Sequence, residues 1–465
     1  MRYISTRGQA PVLDFEGVLL AGLAEDGGLY VPEEWPQLSA QALRDLRGLD
    51  YVETAFRVTW PFVRGPIDAD AYRRILTESY SAFGHPAVTP LVQLDRDLWA
   101  LELFHGPTLA FKDVAMQLLG RLFDHVLEKR GKRITIVGAT SGDTGSAAIE
   151  ACRDRDNIDI CILHPSGRTS AAQRRQMTTV SAKNVSNIAV EGDFDACQDI
   201  VKAMFADTEF RDEVNLSAVN SIKWARVMAQ IVYYVYSAVR LGAPDRRVSF
   251  AVPTGNFGNV FAAYAARQMG LPIAKLVIGS NSNDILTRFF ESDDMTMRPV
   301  KPTISPSMDI QVSSNFERLL FDLYDRNGAA TADAMQTFRA SGVLQVGENR
   351  HAAAKDMFSA ARFDDQETMA GIARWQKSSG YLMDPHTAVG LLAAEAHPTA
   401  DSAMVVAATA HPAKFAGAIK EATGAEPELP ERLAAVFAKE EHYATLPNTL
   451  SVIQNHVRKF RNRIS

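Results

Sequence analysis

Beyond the first hundred residues, short runs of β-branched and aliphatic residues alternate with segments of helical periodicity. "RITIVGAT" precedes "GSAAIEACRDR", "IDICILHP" precedes "SAAQRRQMTTV", and "SNIAVEG" precedes "DFDACQDIVKAMF". The same order returns in "RVSFAVPTG" with "NVFAAYAARQMG", "AKLVIGS" with "NDILTRFF", and "DSAMVVAAT" with "AKFAGAIKEATG". Strands alternating with helices predict parallel βαβ units with right-handed crossovers. The predicted fold class is therefore α/β, with two doubly wound parallel-sheet lobes.

The leading residues hold turn-rich pieces such as "AEDGGLYVPEEWP" and a helical pattern in "SAQALRDLRGLDYVETAFRV", with little recognisable chemistry. We expect an N-terminal extension or part of the larger lobe over 1–98, a smaller lobe over 99–245 and a larger lobe over 246–465. The second limit falls in "RLGAPDRR", where Gly and Pro precede a fresh strand. A less ordered insertion is expected from "MRPVKPTISPSMD" into the helical "NFERLLFDLYDRNG".

Composition narrows this little. At 465 residues the chain exceeds what one hydrophobic core usually serves, so a multi-lobe protein is the prior. With 46% hydrophobic and 22% charged residues and a net charge of -6, nothing calls for nucleic acid or an anionic membrane as partner. The start, "MRYISTRGQAP", has no apolar signal core, and no stretch of membrane-spanning length is apolar throughout. Cys152, Cys161 and Cys197 form no CxxC pair and no metal-type spacing, which predicts buried thiols, a cytoplasmic setting and no metal site.

The candidate chemistry begins at "HGPTLAFKDVAMQ". A helix is expected from near Thr108, and Lys112 leads a face continued by Ala115, Met116, Leu119 and Phe123. Lysines often lay their stems on apolar surface from a helix edge, which is the plain reading of such a residue. Against it, the first helical turn and an apolar face both disfavour a cation, conditions that suit a nucleophilic, Schiff-base amine.

Two segments share an apolar strand, a glycine-rich turn and a helix of small residues: "TIVGATSGDTGSAA" and "AVPTGNFGNVFAA". Either turn could be merely structural, or could offer backbone N–H groups to a phosphate or carboxylate. Neither fits the ordinary nucleotide-binding patterns. In "AVNSIKWARVMAQ", Asn220 or Ser221 is the expected N-cap, and Lys223 and Arg226 place cations where acids are usual, an arrangement that suits a bound dianion or a solvated face. His105, His386 and His411 show no partner in the sequence and are expected to be satisfied polar groups.

Taken in order, the stretches "YISTRG", "LLAGLAEDGGLYVPE", "HGPTLAFKD", "GATSGDTGSAA", "VNSIKWAR", "PTGNFGN", "SSNFERLL", "DPHTAVG" and "TAHPAKF" resemble the fold type II pyridoxal-phosphate enzymes, and in detail the longer bacterial and fungal threonine synthases. The resemblance implies pyridoxal 5'-phosphate as cofactor, held covalently by Lys112. It implies that Gly255, Asn256, Phe257, Gly258 and Asn259 hold the cofactor phosphate, and that Thr409 meets the ring nitrogen. By the same resemblance Thr140, Ser141 and Thr144 bind the substrate carboxylate, while Asn220, Ser221 and Arg226 bind the substrate phosphate. Asp143 stands where many relatives of this fold type carry Asn, facing the cofactor's phenolic oxygen. A carboxylate there is repulsive unless it shares a proton or turns away. The implied reaction converts O-phospho-L-homoserine and water to L-threonine and phosphate by γ-elimination and β-addition of water. Other fold type II activities, a phospho-lyase or a threonine or serine dehydratase, are the alternatives, with a catalytically silent binding protein behind them. The resemblance further implies a monomer or weak homodimer.

Overall fold

A computed structural model describes residues 1–140, 142–167 and 169–463. The chain divides into two compact units, the first formed by Met1–His105 with Ser221–Pro427 and the second by Gly106–Asn220 with the residues after Pro427. These limits differ from those expected at 98/99 and 245/246. The helix Trp224–Arg240 falls in the first unit because its apolar sides pack on the helices Gly258–Gln268 and Tyr51–Val63. The Gly-Pro pause at "RLGAPDRR" is thus only the turn between that helix and the strand Val248–Pro253.

Both predicted sheets form. In the first unit the strand order is Phe358–Arg362, Ile273–Ser280, Val248–Pro253, Ala403–Ala408, Leu98–Glu102 and Leu91–Asp95. All neighbours are parallel except the last pair, an antiparallel hairpin. The second unit carries Ala444–Pro447, Val185–Glu191, Ile158–Pro165, Ile134–Ala139 and Leu216–Ser217, all parallel. The strands read as continuous apolar runs because both sheet faces are covered: Val248–Pro253, Ile158–Pro165 and Ala403–Ala408 are buried at every position. Among the described residues no helix is long and apolar enough to cross a membrane.

The helix Lys112–Arg130 departs from its expected form in two ways. It starts at Lys112 rather than near Thr108, since Leu109 takes a positive φ of 60° and the Asp113 carboxylate folds back on Thr108, accepting from its N–H and its hydroxyl, each at 2.7 Å. It is also buried on every side from Lys112 to Gly120, so Lys112 interrupts no exposed-to-buried stripe. The stretch expected to be less ordered carries little regular structure but is pinned by side chains. Asp309 accepts from Thr303 and Asn281, and Asn283 bonds both Asp309 and the Lys301 carbonyl. The three cysteines are buried free thiols, with desolvation pushing Cys152 and Cys161 up to about 12.

Within the second unit, Gly120 lets the helix Lys112–Arg130 lie against Asp143–Cys152. A Cβ at Gly120 would come within 2.3 Å of the Ala151 carbonyl oxygen, a backbone atom that cannot rotate aside. Alanine would gain about 1 kcal/mol of helix propensity, but overpacking of this kind costs about 1–3 kcal/mol and a backbone clash lies at the upper end. Gly120→Ala is therefore expected to lower the calorimetric midpoint of thermal unfolding; a raised midpoint would refute the close crossing.

Candidate active site

In the second unit, the first predicted glycine turn follows the strand Ile134–Ala139 and opens the helix Asp143–Cys152. The Thr140 hydroxyl oxygen accepts from the Gly142 N–H at 3.0 Å and the Gly145 N–H at 2.9 Å. With both lone pairs engaged, its own proton is left to donate, the polarity a carboxylate ligand needs. Thr144 is half-buried in the first turn of the same helix. Ser141 lies outside the described residues.

Lys112 is buried, and its Nζ stands 3.5 Å from Asp143 Oδ2. The other Asp143 oxygen accepts from Gln173 Nε2 at 2.9 Å. Gln173 Oε1 in turn accepts from the Ser170 hydroxyl, which fixes the amide with its NH2 toward Asp143. Asp143 is thus an acceptor at both oxygens, held as a counter-charge to the lysine and placed at a helix N-terminus that favours an anion. Gln173 could not have been picked from the sequence, because its link to Asp143 spans thirty residues and depends on how the helix Ala171–Thr178 packs.

In the first unit, the second glycine turn follows Val248–Pro253 and opens the helix Gly258–Gln268. Its geometry is set by the segment after residue 312. The Ser313 hydroxyl donates to the Gly255 carbonyl at 2.6 Å, and the N–H and Nδ2 of Asn315 donate to the Asn256 carbonyl at 3.1 and 2.9 Å. In a trans peptide the N–H points opposite the carbonyl of its own plane. The N–H groups of Asn256 and Phe257 are consequently turned away from Ser313 and Asn315. Among the described residues, no protein acceptor takes the N–H groups of Gly255 to Asn259.

A buried donor adds to this set. Asn259 Oδ1 accepts from the hydroxyls of Tyr233 and Tyr234, which orients its amide and leaves the buried Nδ2 without a partner among the described residues. A Cβ at Gly255 would stand 2.5 Å from the Ser307 carbonyl oxygen, so only glycine lets the backbone lie this close. Outward N–H groups, an orphaned amide donor and a helix N-terminus fit a phosphate group, in keeping with the pyridoxal-phosphate expectation.

Thr409 follows the strand Ala403–Ala408, which neighbours Val248–Pro253, so it lies at the same carboxyl-terminal sheet edge as the glycine turn. Its N–H donates to Thr387 Oγ1 at 3.1 Å, and Thr387 donates onward to the buried Asp384 carboxylate. His386 is a satisfied polar group as expected. Its Nε2 accepts from the Ser307 N–H, so the proton is assigned to Nδ1, 2.7 Å from Asp384. A cluster not foreseen joins Glu102 to His105 at 2.7 Å and to the Tyr381 hydroxyl at 3.2 Å, with Phe104 edge-on to His411.

The predicted N-cap at Asn220 or Ser221 is not realised: the helix begins at Trp224, with Lys223 as N-cap, and the exposed Asn220 precedes the turn. Lys223 is buried and donates to the carbonyls of Leu19, Leu20 and Ala21 at 3.2, 3.3 and 2.9 Å. It closes the C-terminal end of the helix Phe15–Leu20, where carbonyls lack helical partners. Burial pushes its amine down to about 7, while three carbonyl acceptors and the negative helix end favour the cation. Arg226, in the first helical turn, is also buried, with desolvation lowering it to about 10 and Tyr233 opposing the shift.

Over residues 2–80 the chain matches the family model described as threonine synthase N terminus, over 82–348 pyridoxal-phosphate dependent enzyme, and over 387–457 threonine synthase, C-terminal. It is 56% identical to the threonine synthase of Pseudomonas aeruginosa, covering 100% of this chain and 99% of that one. To the threonine synthase of Saccharomyces cerevisiae it is 43% identical, covering 90% of this chain and 88% of the relative. The crystal structure of pyridoxal-phosphate-bound threonine synthase from Brucella melitensis superposes with a TM-score of 0.98 at 54% identity, covering 99% of each chain.

Phe257 offers a stability test of the glycine turn. It holds a positive φ of 62°, yet its buried ring packs on Phe290, Phe316 and Phe358. Glycine would relieve about 1–2 kcal/mol of backbone strain but forfeit about 3–5 kcal/mol of aromatic burial. Phe257→Gly is expected to destabilise the protein by roughly 2 kcal/mol or more in urea unfolding, despite the favourable backbone change.

Proposed function

The chain belongs to the threonine synthase family of pyridoxal-phosphate-dependent enzymes, and we propose that the two glycine turns, Lys112, Thr409 and the Asn220–Arg226 segment carry its chemistry. In this reading Lys112 holds the cofactor covalently, Gly255, Asn256, Phe257, Gly258 and Asn259 bind its phosphate, and Thr409 meets its ring nitrogen. Asp143, the counter-charge to Lys112, faces the phenolic oxygen. What supports the reading most directly is the run of N–H groups at 255–259 that no protein acceptor takes among the described residues, beside the orphaned Asn259 amide. When bound, pyridoxal phosphate supplies a sink for negative charge developing at the substrate's α carbon.

The substrate is O-phospho-L-homoserine, and the products are L-threonine and phosphate. Thr140, whose hydroxyl has only its proton left to offer, donates to the substrate carboxylate together with Ser141 and Thr144. Lys112 takes the α proton, and Asp143 keeps the resulting ammonium paired. Asn220, Ser221 and Arg226 hold the substrate phosphate and balance its charge as it leaves from the γ carbon. A buried guanidinium serves this purpose well, because little water competes for the anion. Lys223 takes no part in anion binding in this scheme, since its amine is committed to helix carbonyls.

Purified protein given O-phosphohomoserine is expected to release phosphate and threonine in equal amounts with little 2-oxobutyrate. Phosphate with 2-oxobutyrate and no threonine would mark a phospho-lyase instead. Lys112→Ala should abolish turnover and the cofactor absorbance near roughly 410 nm. Arg226→Ala should keep that absorbance while raising KM about 10–100-fold, as loss of a charge-assisted contact implies.

A further inference from the structure

The segment "SSNFERLL" carries residues that the proposed chemistry does not use. Asn315 is fully buried, and each polar atom of its side chain is engaged within the first unit. Nδ2 donates to the Asn256 carbonyl at 2.9 Å and to the Ser221 carbonyl at 3.3 Å, while Oδ1 accepts from Arg318 Nη1. A guanidinium can only donate, so the amide orientation is unambiguous. Arg318, also buried, donates to the Tyr30 carbonyl through Nε and Nη2 at 3.1 and 2.9 Å, and to the Ile222 carbonyl at 2.6 Å.

One buried amide thus bridges the glycine turn and the loop leading to Arg226. By the trans-peptide geometry described above, each carbonyl it captures turns the next N–H the other way: Phe257 N–H in the glycine turn and Ile222 N–H in the loop. A Cβ at Gly258 would stand 3.2 Å from Asn315 Nδ2, so the turn is seated directly on this side chain.

We propose that Asn315 is a positioning residue that sets both phosphate-holding segments at once, the cofactor-phosphate turn and the substrate-phosphate loop. This rests on the assignment of 255–259 and of Ser221 and Arg226 made above. Asn315 touches neither ligand; it acts through the backbone of Asn256 and Ser221. Removing its two amide donors releases the Ser221 carbonyl and leaves the Asn256 carbonyl with only the Asn315 N–H, so both phosphate sites weaken together.

The test separates phosphate recognition from general damage by using a cofactor analogue that lacks the phosphate. Apo-protein of the unaltered chain and of Asn315→Ala is titrated with pyridoxal phosphate and with pyridoxal. Inorganic phosphate is then measured as a competitive inhibitor of the holoenzyme at saturating cofactor. Asn315→Ala is expected to weaken pyridoxal phosphate about tenfold or more, leave pyridoxal nearly unchanged, and raise the phosphate inhibition constant by a similar factor. Equal losses for pyridoxal phosphate and pyridoxal would overturn the proposal in favour of a purely structural role. Lost cofactor discrimination with an unchanged inhibition constant would overturn the claim that one residue sets both sites. Should Asn315→Ala fail to fold, Asn315→Asp keeps an acceptor for Arg318 while removing the two amide donors, and the same outcomes apply. If the unaltered chain binds pyridoxal as tightly as pyridoxal phosphate, the assignment of 255–259 fails, a result distinct from failure of the Asn315 proposal.

Discussion

A backbone anion site depends on where its carbonyl oxygens are sent. Every peptide plane that presents an N–H to a ligand must direct its carbonyl the opposite way, and that oxygen needs a partner of its own. In the turn Gly255–Asn259 the partners are Ser313 and Asn315, and Asn315 is held by Arg318. Arg318 reaches back to Tyr30, while Glu317 beside it takes Arg7 through two bonds at 3.0 and 2.9 Å and Thr6 at 2.7 Å. The first thirty residues, which hold no recognisable chemistry, therefore form the outer support of the glycine turn.

Buried cations are satisfied here in two different ways. Lys223 and Arg318 donate to main-chain carbonyls, which supply dipoles rather than a neutralising charge and bind distant segments together. Lys112 instead stands by a carboxylate, Asp143, which Gln173 holds from the far side. The first solution suits a permanent strut. The second suits an amine that gains and loses a proton, since its counter-charge is already in place.

The parallel strands could be read from the sequence because both sheet faces are buried, which leaves unbroken apolar runs such as "VSFAVP" and "AMVVAA". Edge strands escaped notice. Leu91–Asp95 alternates partly exposed positions, and Ala444–Pro447 is four residues with no apolar run. The residues to which the proposed chemistry is assigned were visible where they sit in a glycine turn or break a helix rule, as Lys112 and Arg226 do. Those that aim them, Gln173, Ser313, Asn315 and Arg318, were not, because ordinary polar residues acquire that role only through contacts dozens of residues away. The N-cap expected at Asn220 or Ser221 failed for the same reason: Lys223 is fixed by helix carbonyls two hundred residues earlier, and the helix begins after it.

The order of strands in the two sheets also governs how the protein comes into being on the ribosome. Ala403–Ala408 lies in the interior of its sheet, between Leu98–Glu102 and Val248–Pro253, and Ala444–Pro447 completes the other sheet beside Val185–Glu191. The first sheet cannot close before Ala403–Ala408 has emerged, and until then apolar strand edges stand open to wrong partners. Between the synthesis of Val248–Pro253 and that of Ala403–Ala408 the nascent chain carries an unpaired interior strand edge, the kind of exposure that chaperones shield.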